Sequence, residues 1–152
     1  MTVRNGSSVA VHRALTVEAP LRRAWHHFNR ATQWPSWHTD LKSVNVEPPG
    51  ELGAQSVATL YPQKGPSTTF RMTTFVPYDH WTWVTRALWF TIEYDHRFER
   101  ITDDTTRIIL HIEVGGLGRS AFSRFLSGLA NKILDVALPR LAEEMKNGVT
   151  AT

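Results

Sequence analysis

The 152-residue sequence predicts an α+β fold in which one antiparallel sheet is covered by a long C-terminal helix. Alternating apolar and polar residues indicate strands, turn-forming residues separate these strands at short intervals, and the final segment has the apolar spacing of a helix. Because helices and strands are segregated along the chain, a parallel α/β sheet is not expected. We expect one domain over residues 1–152, with residues 1–7 and 148–152 as flexible termini.

The first predicted strand covers residues 8–18. Its apolar face is formed by Val9, Val11, Leu15 and Val17. Arg13 falls on the same face, which leaves two interpretations. Either a bulge or an edge position turns Arg13 outward, or the cation points inward and needs a carboxylate or a ligand anion.

Two short helices are predicted to follow this strand. Pro20 suits the first position of a helix. Apolar residues then recur at helical spacing, at Leu21, Ala24, Trp25 and Phe28. The second helix, within residues 33–38, is at most one turn because Pro35 limits it. One such turn places Trp34 and Trp37 on the same side.

A meander of antiparallel strands is predicted from Leu41 to Phe98, with turns rich in Pro and Gly between them. The clearest strand is residues 88–99. Its apolar face comprises Leu88, Phe90, Ile92, Tyr94, His96 and Phe98. A strand at residues 106–114 completes a sheet of six to seven strands, and Gly115-Gly116 ends it.

The last segment, residues 121–146, is predicted to be one helix on the order of 40 Å long. Its apolar residues form two stripes roughly 130° apart. The first stripe is Phe122, Phe125, Leu126, Leu129, Ile133 and Val136, and the second is Leu134, Leu138, Leu141 and Met145. Pro139 removes one backbone hydrogen bond, so we expect a kink and a change of buried face there.

Composition argues against several kinds of site and partner. The sequence contains no cysteine, which excludes disulfides, thiol catalysis and cysteine-ligated zinc. Its histidines lack metal-ligand spacing, so no metal site is expected. The net charge of +3 is spread along the chain, so no nucleic-acid partner is expected. Without a long apolar run or a signal-peptide pattern, we expect no integral membrane contact and a cytoplasmic location.

One glycine-rich motif resembles a dinucleotide-binding fingerprint. Residues 116–121 read Gly-Leu-Gly-Arg-Ser-Ala, after a predicted strand and before a helix. A dinucleotide unit needs a second parallel strand after that helix, and none follows. We therefore attribute the glycines to the turn between sheet and helix, and expect no cofactor.

The segment Val17-Glu18-Ala19-Pro20-Leu21-Arg22-Arg23-Ala24-Trp25, followed by Gln33-Trp34-Pro35-Ser36-Trp37-His38, resembles the opening of the START/Bet v 1-like (SRPBCC) superfamily, and within it the bacterial polyketide cyclase/dehydrase-like group. The resemblance continues through Gly53, the strand series, residues 105–108 and the closing helix. It implies a helix-grip fold, in which a curved sheet wraps the C-terminal helix around a hydrophobic cavity. Family members include ligand carriers, aromatase/cyclases, hormone receptors and co-chaperones, so the resemblance alone does not select a function.

Tyr94 and His96 are the strongest candidates for chemistry, because they are the only titratable side chains on the apolar face of the strand at residues 88–99. Same-face neighbours on a strand lie about 6.5 to 7 Å apart, so both can act on one small ligand. They could serve as an acid/base pair, bind a ligand without catalysis, or satisfy each other in the core. His38 and Asp40 form a weaker pair and are expected to face solvent.

The first functional hypothesis is binding of a hydrophobic or aromatic small molecule in a cavity between sheet and helix, by a monomer or homodimer. The expected ligand-binding residues are Arg13, Trp37, Phe90, Ile92, Tyr94, His96, Phe122, Phe125, Leu129 and Ile133. The second is a polyketide cyclase/dehydrase-like enzyme that uses His96 and Tyr94 as acid and base. A third, docking on a protein or membrane surface, would need a large exposed apolar patch.

Overall fold

The structure is a computed structural model and describes residues 6–148. In chain order its elements are β1 (Ser7–Val17), α1 (Leu21–Asn29), a 3-10 helix (Ala31–Ser36), β2 (Leu41–Glu47), β3 (Val57–Pro62), β4 (Thr68–Val76), β5 (His80–Ala87), β6 (Phe90–Thr102), β7 (Thr105–Gly115) and α2 (Arg119–Asn147). The predicted α+β fold is confirmed, with two short helices after the first strand and one long C-terminal helix. Of the predicted flexible termini, residues 1–5 and 149–152 lie outside the described residues, whereas Ser7 begins β1 and Gly148 caps α2.

The seven strands form one antiparallel sheet in the order β1-β7-β6-β5-β4-β3-β2. Strands β2 to β6 each pair with the next strand along the chain, as expected for a meander. The first strand instead pairs with the last, so β1 and β2 lie at opposite edges of the sheet. α2 follows directly from β7 and packs against β1 and β7.

The start of β1 differs from the prediction. The pairing of β1 with β7 shifts register between Val9 and Val11, and this bulge leaves Val9 exposed while it buries Ala10. The predicted apolar face is therefore wrong at Val9. The bulge precedes Arg13, which stays on the side of the sheet that faces α2 and contacts Asp135 of that helix.

The predicted strand at residues 88–99 begins two residues too early. Leu88 and Trp89 form the turn of the β5–β6 hairpin, between the paired residues Ala87 and Phe90. Leu88 has a positive φ of 59° and an exposed side chain. A left-handed leucine is uncommon, so the alternating pattern gave no sign of this turn.

The core is divided into two clusters. The larger joins α1, the 3-10 helix, all seven strands and the C-terminal part of α2, where Leu138, Leu141 and Met145 are buried. Trp34 and Trp37 both belong to it with ring centroids 5.9 Å apart, which confirms that they lie on the same side. The smaller cluster joins β1, β6 and β7 with the N-terminal part of α2.

The turn before α2 requires its glycines. Gly116 has a φ of +125°, and a Cβ atom there would lie 3.2 Å from both the Phe90 ring and the Trp89 carbonyl oxygen. Gly118 is left-handed and caps the N-terminus of α2. The glycine-rich motif therefore has a conformational role in this turn. Within residues 6–148, no helix is long and apolar enough to cross a membrane.

Candidate functional site

A cavity of about 440 Å³ lies between the sheet and the N-terminal half of α2. Its wall is mainly apolar and aromatic. The helices contribute Phe28, Trp34, Trp37, Phe122, Phe125, Leu126, Leu129, Ala130, Ile133 and Leu134, and the strands contribute, among others, Leu41, Leu60, Phe70, Trp83, Ile92, Tyr94, His96, Leu110 and Ile112. Phe125 and Leu129 line the cavity and are also 67% and 50% exposed, so the cavity opens to solvent beside them.

Most of the predicted ligand-binding residues lie in this wall. Those that line the cavity are Trp37, Ile92, Tyr94, His96, Phe122, Phe125, Leu129 and Ile133. Phe90 is not in the wall but supports it from behind, because its ring stacks on Phe122 with centroids 4.2 Å apart. Val136, which the first stripe of the helix included, is exposed and outside the wall.

Arg13 also lies outside the wall. Its Nη1 donates to Asp135 Oδ1 at 2.8 Å and to Asn131 Oδ1 at 3.2 Å, both on α2. The structure combines the two sequence interpretations. Arg13 lies on edge strand β1 after a bulge, and its cation is met by a carboxylate of α2 that is 68% exposed. This pair ties edge strand β1 to the middle of the helix.

The β5–β6 hairpin brings four rings together at one side of the cavity. In the strand register Trp81 faces His96 and Trp83 faces Tyr94, so the four side chains form two cross-strand pairs. The rings of Trp81 and His96 stack with centroids 3.8 Å apart and planes 15° from parallel. Phe70 of β4 contacts both Trp83 and Tyr94, at 4.7 and 5.0 Å. These contacts fix the Tyr94 and His96 side chains against the sheet.

Both titratable side chains of this group are held in their neutral forms. Burial lowers the pKa of His96 to about 3, because the protonated ring would lose its hydration. Burial raises the pKa of Tyr94 to about 12 for the same reason. Among residues 6–148, the buried Nδ1 of His96 has no hydrogen-bond partner. Near neutral pH the site therefore offers an uncharged imidazole and an uncharged phenol.

Several lining residues were not predicted as ligand-binding. Phe28, Trp34, Phe70 and Trp83 all line the cavity. The sequence contains one signal for Trp83, since Trp81 and Trp83 are two residues apart and so share one face of a strand. It does not show that this strand, β5, pairs with β6. His38 was expected to face solvent; it lines the cavity instead, and burial lowers its pKa despite the opposing effect of Asp40.

Comparison with known families assigns nearly all of the chain. Residues 8–146 match the family described as polyketide cyclase/dehydrase and lipid transport. The chain belongs to this family. Proteins of the family bind hydrophobic ligands, and the resemblance that the sequence carries to the START-like superfamily is confirmed. No curated protein matches the chain in sequence.

Several solved structures share the fold of this chain. The Zhui aromatase/cyclase from Streptomyces sp. R1128 superposes with a TM-score of 0.72 and 14% identity, covering 94% of this chain and 96% of that one. A START superfamily protein from Mycobacterium smegmatis gives 0.67 and 18%, covering 89% and 97%. A protein from Thermobifida fusca gives 0.72 and 12%, covering 93% of each chain. At these identities the likeness establishes the helix-grip fold alone.

Proposed function

We propose that this protein binds a hydrophobic or aromatic small molecule in the cavity between its sheet and α2. The observation that supports this most directly is the cavity itself, because about 440 Å³ of mainly apolar space falls within the usual range of ligand pockets. Family membership points the same way. The exposed apolar side chains at the opening, Phe125 and Leu129, would lose contact with water when a ligand binds.

A cyclase/dehydrase-like reaction is the second candidate, since one structural relative is an aromatase/cyclase. General acid/base groups work best when their pKa values lie near the working pH. The pKa of His96, at about 3, and that of Tyr94, at about 12, lie far from neutrality on opposite sides. For this reason we place binding ahead of catalysis by this pair.

The binding proposal can be tested by filling the cavity. Ala130 lines it, whereas Arg124 lies on the exposed side of the same helix and outside the wall. Ala130→Trp should weaken binding of the uncharged naphthyl ketone prodan at least about tenfold, as measured by its fluorescence, and Arg124→Trp should leave it unchanged. Native mass spectrometry of freshly purified protein should show a bound organic molecule that Ala130→Trp reduces.

Two results would contradict the proposal. One is equal prodan affinity for Ala130→Trp and the unmodified protein, which would show that prodan binds outside the cavity. The other is the lack of any binding of prodan or of a co-purified molecule. A product that forms only with intact His96 would favour the reaction over simple binding, and His96→Phe makes that comparison without removing the stacked ring.

A further inference from the structure

Within residues 6–148, no lysine or arginine side chain lines the cavity. Its titratable residues are Asp40, Asp95, Tyr94 and the histidines His38, His96 and His111. Burial lowers the pKa values of His38 and His96, which disfavours their cationic forms, and His111 Nε2 lies 3.5 Å from Glu113 Oε1. Asp40 is exposed, and Asp95 accepts a hydrogen bond from Thr82 Oγ1 at 2.5 Å. An anionic ligand would therefore meet no lysine or arginine in the wall, whereas two carboxylates belong to it.

Arg13 was the one cation among the predicted ligand-binding residues, but in the structure side chains of α2 bind it. Its guanidinium is bound by the Asp135 carboxylate and the Asn131 side chain of α2. The Asn131 amide in turn donates to Ser127 Oγ at 3.1 Å, so these helix residues form a connected network. A ligand anion would have to displace Asp135 to reach Arg13.

An ionised ligand in such a cavity is strongly disfavoured. A carboxylate that leaves water without a paired cation loses its hydration and gains little in return, so it stays outside or takes up a proton. The same low-polarity surroundings keep His96 and Tyr94 uncharged. The environment that neutralises these side chains also acts on any ligand beside them.

The wall does offer a neutral hydrogen-bond donor. Tyr94 lies in the wall, and a phenol donates its O–H when it is protonated. Burial raises the Tyr94 pKa, so its hydroxyl keeps its proton near neutral pH and can donate it. Around it, the rings of Phe28, Trp37, Phe70 and Trp83 provide flat aromatic surface.

Resting on the binding function proposed above, we propose that the cavity selects uncharged aromatic ligands that carry a hydrogen-bond-accepting oxygen, and that Tyr94 donates to this oxygen. Ionised carboxylic acids, including fatty acids, are excluded at neutral pH. The ligand class is thus aromatic ketones, esters, phenols and similar neutral molecules.

The charge selection is tested with probes of matched shape. Displacement of prodan at pH 7.5 compares 2-acetylnaphthalene, which is uncharged, with 2-naphthoate, which is ionised. The ketone should bind about three thousandfold more tightly, because a carboxylic acid with a pKa of about 4 is protonated in only about one molecule in three thousand at pH 7.5. As the pH falls from 7.5 toward the carboxyl pKa of about 4, naphthoate affinity should rise about tenfold per pH unit, because only the protonated acid binds, while ketone affinity stays constant.

The role of Tyr94 is tested by removing one hydroxyl. Tyr94→Phe should weaken 2-acetylnaphthalene about five- to tenfold and leave 2-ethylnaphthalene, which has no acceptor, unchanged. Tyr61→Phe is the matched control, because Tyr61 is exposed on β3 and outside the wall. Equal loss for both probes would show that Tyr94 acts through packing and would overturn its role as donor.

The remaining outcomes separate the two proposals. Naphthoate that binds at pH 7.5 as tightly as the ketone would overturn charge selection while the binding function stands. A naphthylmethylamine that binds more tightly than the ketone would also overturn it, by showing that Asp40 or Asp95 selects cations. If prodan and all four naphthyl probes fail to bind, the binding function itself is wrong.

Discussion

The two halves of α2 use apolar residues in opposite ways. In the N-terminal half, Phe125 and Leu129 are 67% and 50% exposed and line an open cavity. In the C-terminal half, Leu141 and Met145 are 0% and 1% exposed and belong to the larger core. One continuous helix therefore stabilises the fold with one end and forms the wall of a candidate binding site with the other.

The contacts that hold each half differ accordingly. The C-terminal half is attached to α1, because Arg23 donates to the Met145 carbonyl at 3.1 Å and His27 pairs with Glu144 at 3.0 Å. The N-terminal half contacts edge strand β1, where Ser123 Oγ donates to the Val9 carbonyl oxygen at 3.1 Å. Apolar side chains that face the cavity have empty space opposite them, which a hydrophobic ligand would fill.

Replacing one leucine by alanine in each half should give the largest difference in the free energy of unfolding. Leu141→Ala should lower the free energy of unfolding by about 2 to 5 kcal/mol, because it leaves a hole in a closed core. Leu129→Ala should change it by less than about 0.5 kcal/mol, because half of that side chain already contacts water, yet it should weaken ligand binding. Urea unfolding and prodan titration of both variants measure these effects. Equal losses of stability would show that the N-terminal half is as closely packed as the other.

This division of α2 was only partly predictable from its sequence. The two stripes are visible as spacing. In the second stripe Leu138, Leu141 and Met145 are buried, whereas Leu134 is partly buried and lines the cavity. The change of buried face was expected at Pro139, and the buried residues begin at Ala137, two positions before it. Which stripe meets a core and which meets a cavity depends on the elements opposite, and spacing carries no information about them.

The candidate site shows the same limit. Tyr94 and His96 were predictable because alternation along one strand places them on one face. Their neighbours Trp83 and Phe70 were not, since those contacts depend on how β4, β5 and β6 pair. The partner of Arg13 is 122 positions away in sequence, so its neutralisation by Asp135 required the three-dimensional structure.

His96 lies where the two regions meet, because it lines the cavity and also contacts Phe28 of the larger core. Its pKa is about 3 in the folded protein and about 6.5 when unfolded, so below pH 6.5 the unfolded chain binds the extra proton. The stability that His96 contributes is complete above pH 6.5 and is lost as the pH falls toward 3. This loss should reach about 1.4 kcal/mol per pH unit.

His96→Phe should remove that part of the pH dependence, because phenylalanine does not titrate and can retain the stack on Trp81. Urea unfolding at pH 7, 6 and 5 measures it. A residual slope is expected, since burial also lowers the pKa values of His27 and His38. An unchanged slope in His96→Phe would mean that the ring is hydrated and that the cavity is wetter than its lining indicates.

The smallest expected effect compares an ion pair at the middle of α2 with one at its C-terminal end. Arg13 and Asp135 have side chains 29% and 68% exposed, whereas Lys146 and Glu18 are 58% and 68% exposed and 3.5 Å apart. Asp135→Asn should lower stability by about 0.2 to 1 kcal/mol at low salt, and less in high salt, because solvent screens a partly exposed pair. Glu18→Gln should cause no measurable change. Urea unfolding at low and high ionic strength distinguishes the two variants. A loss well above 1 kcal/mol that salt does not reduce would show that the middle of α2 depends on Arg13 as strongly as the C-terminal end depends on its core.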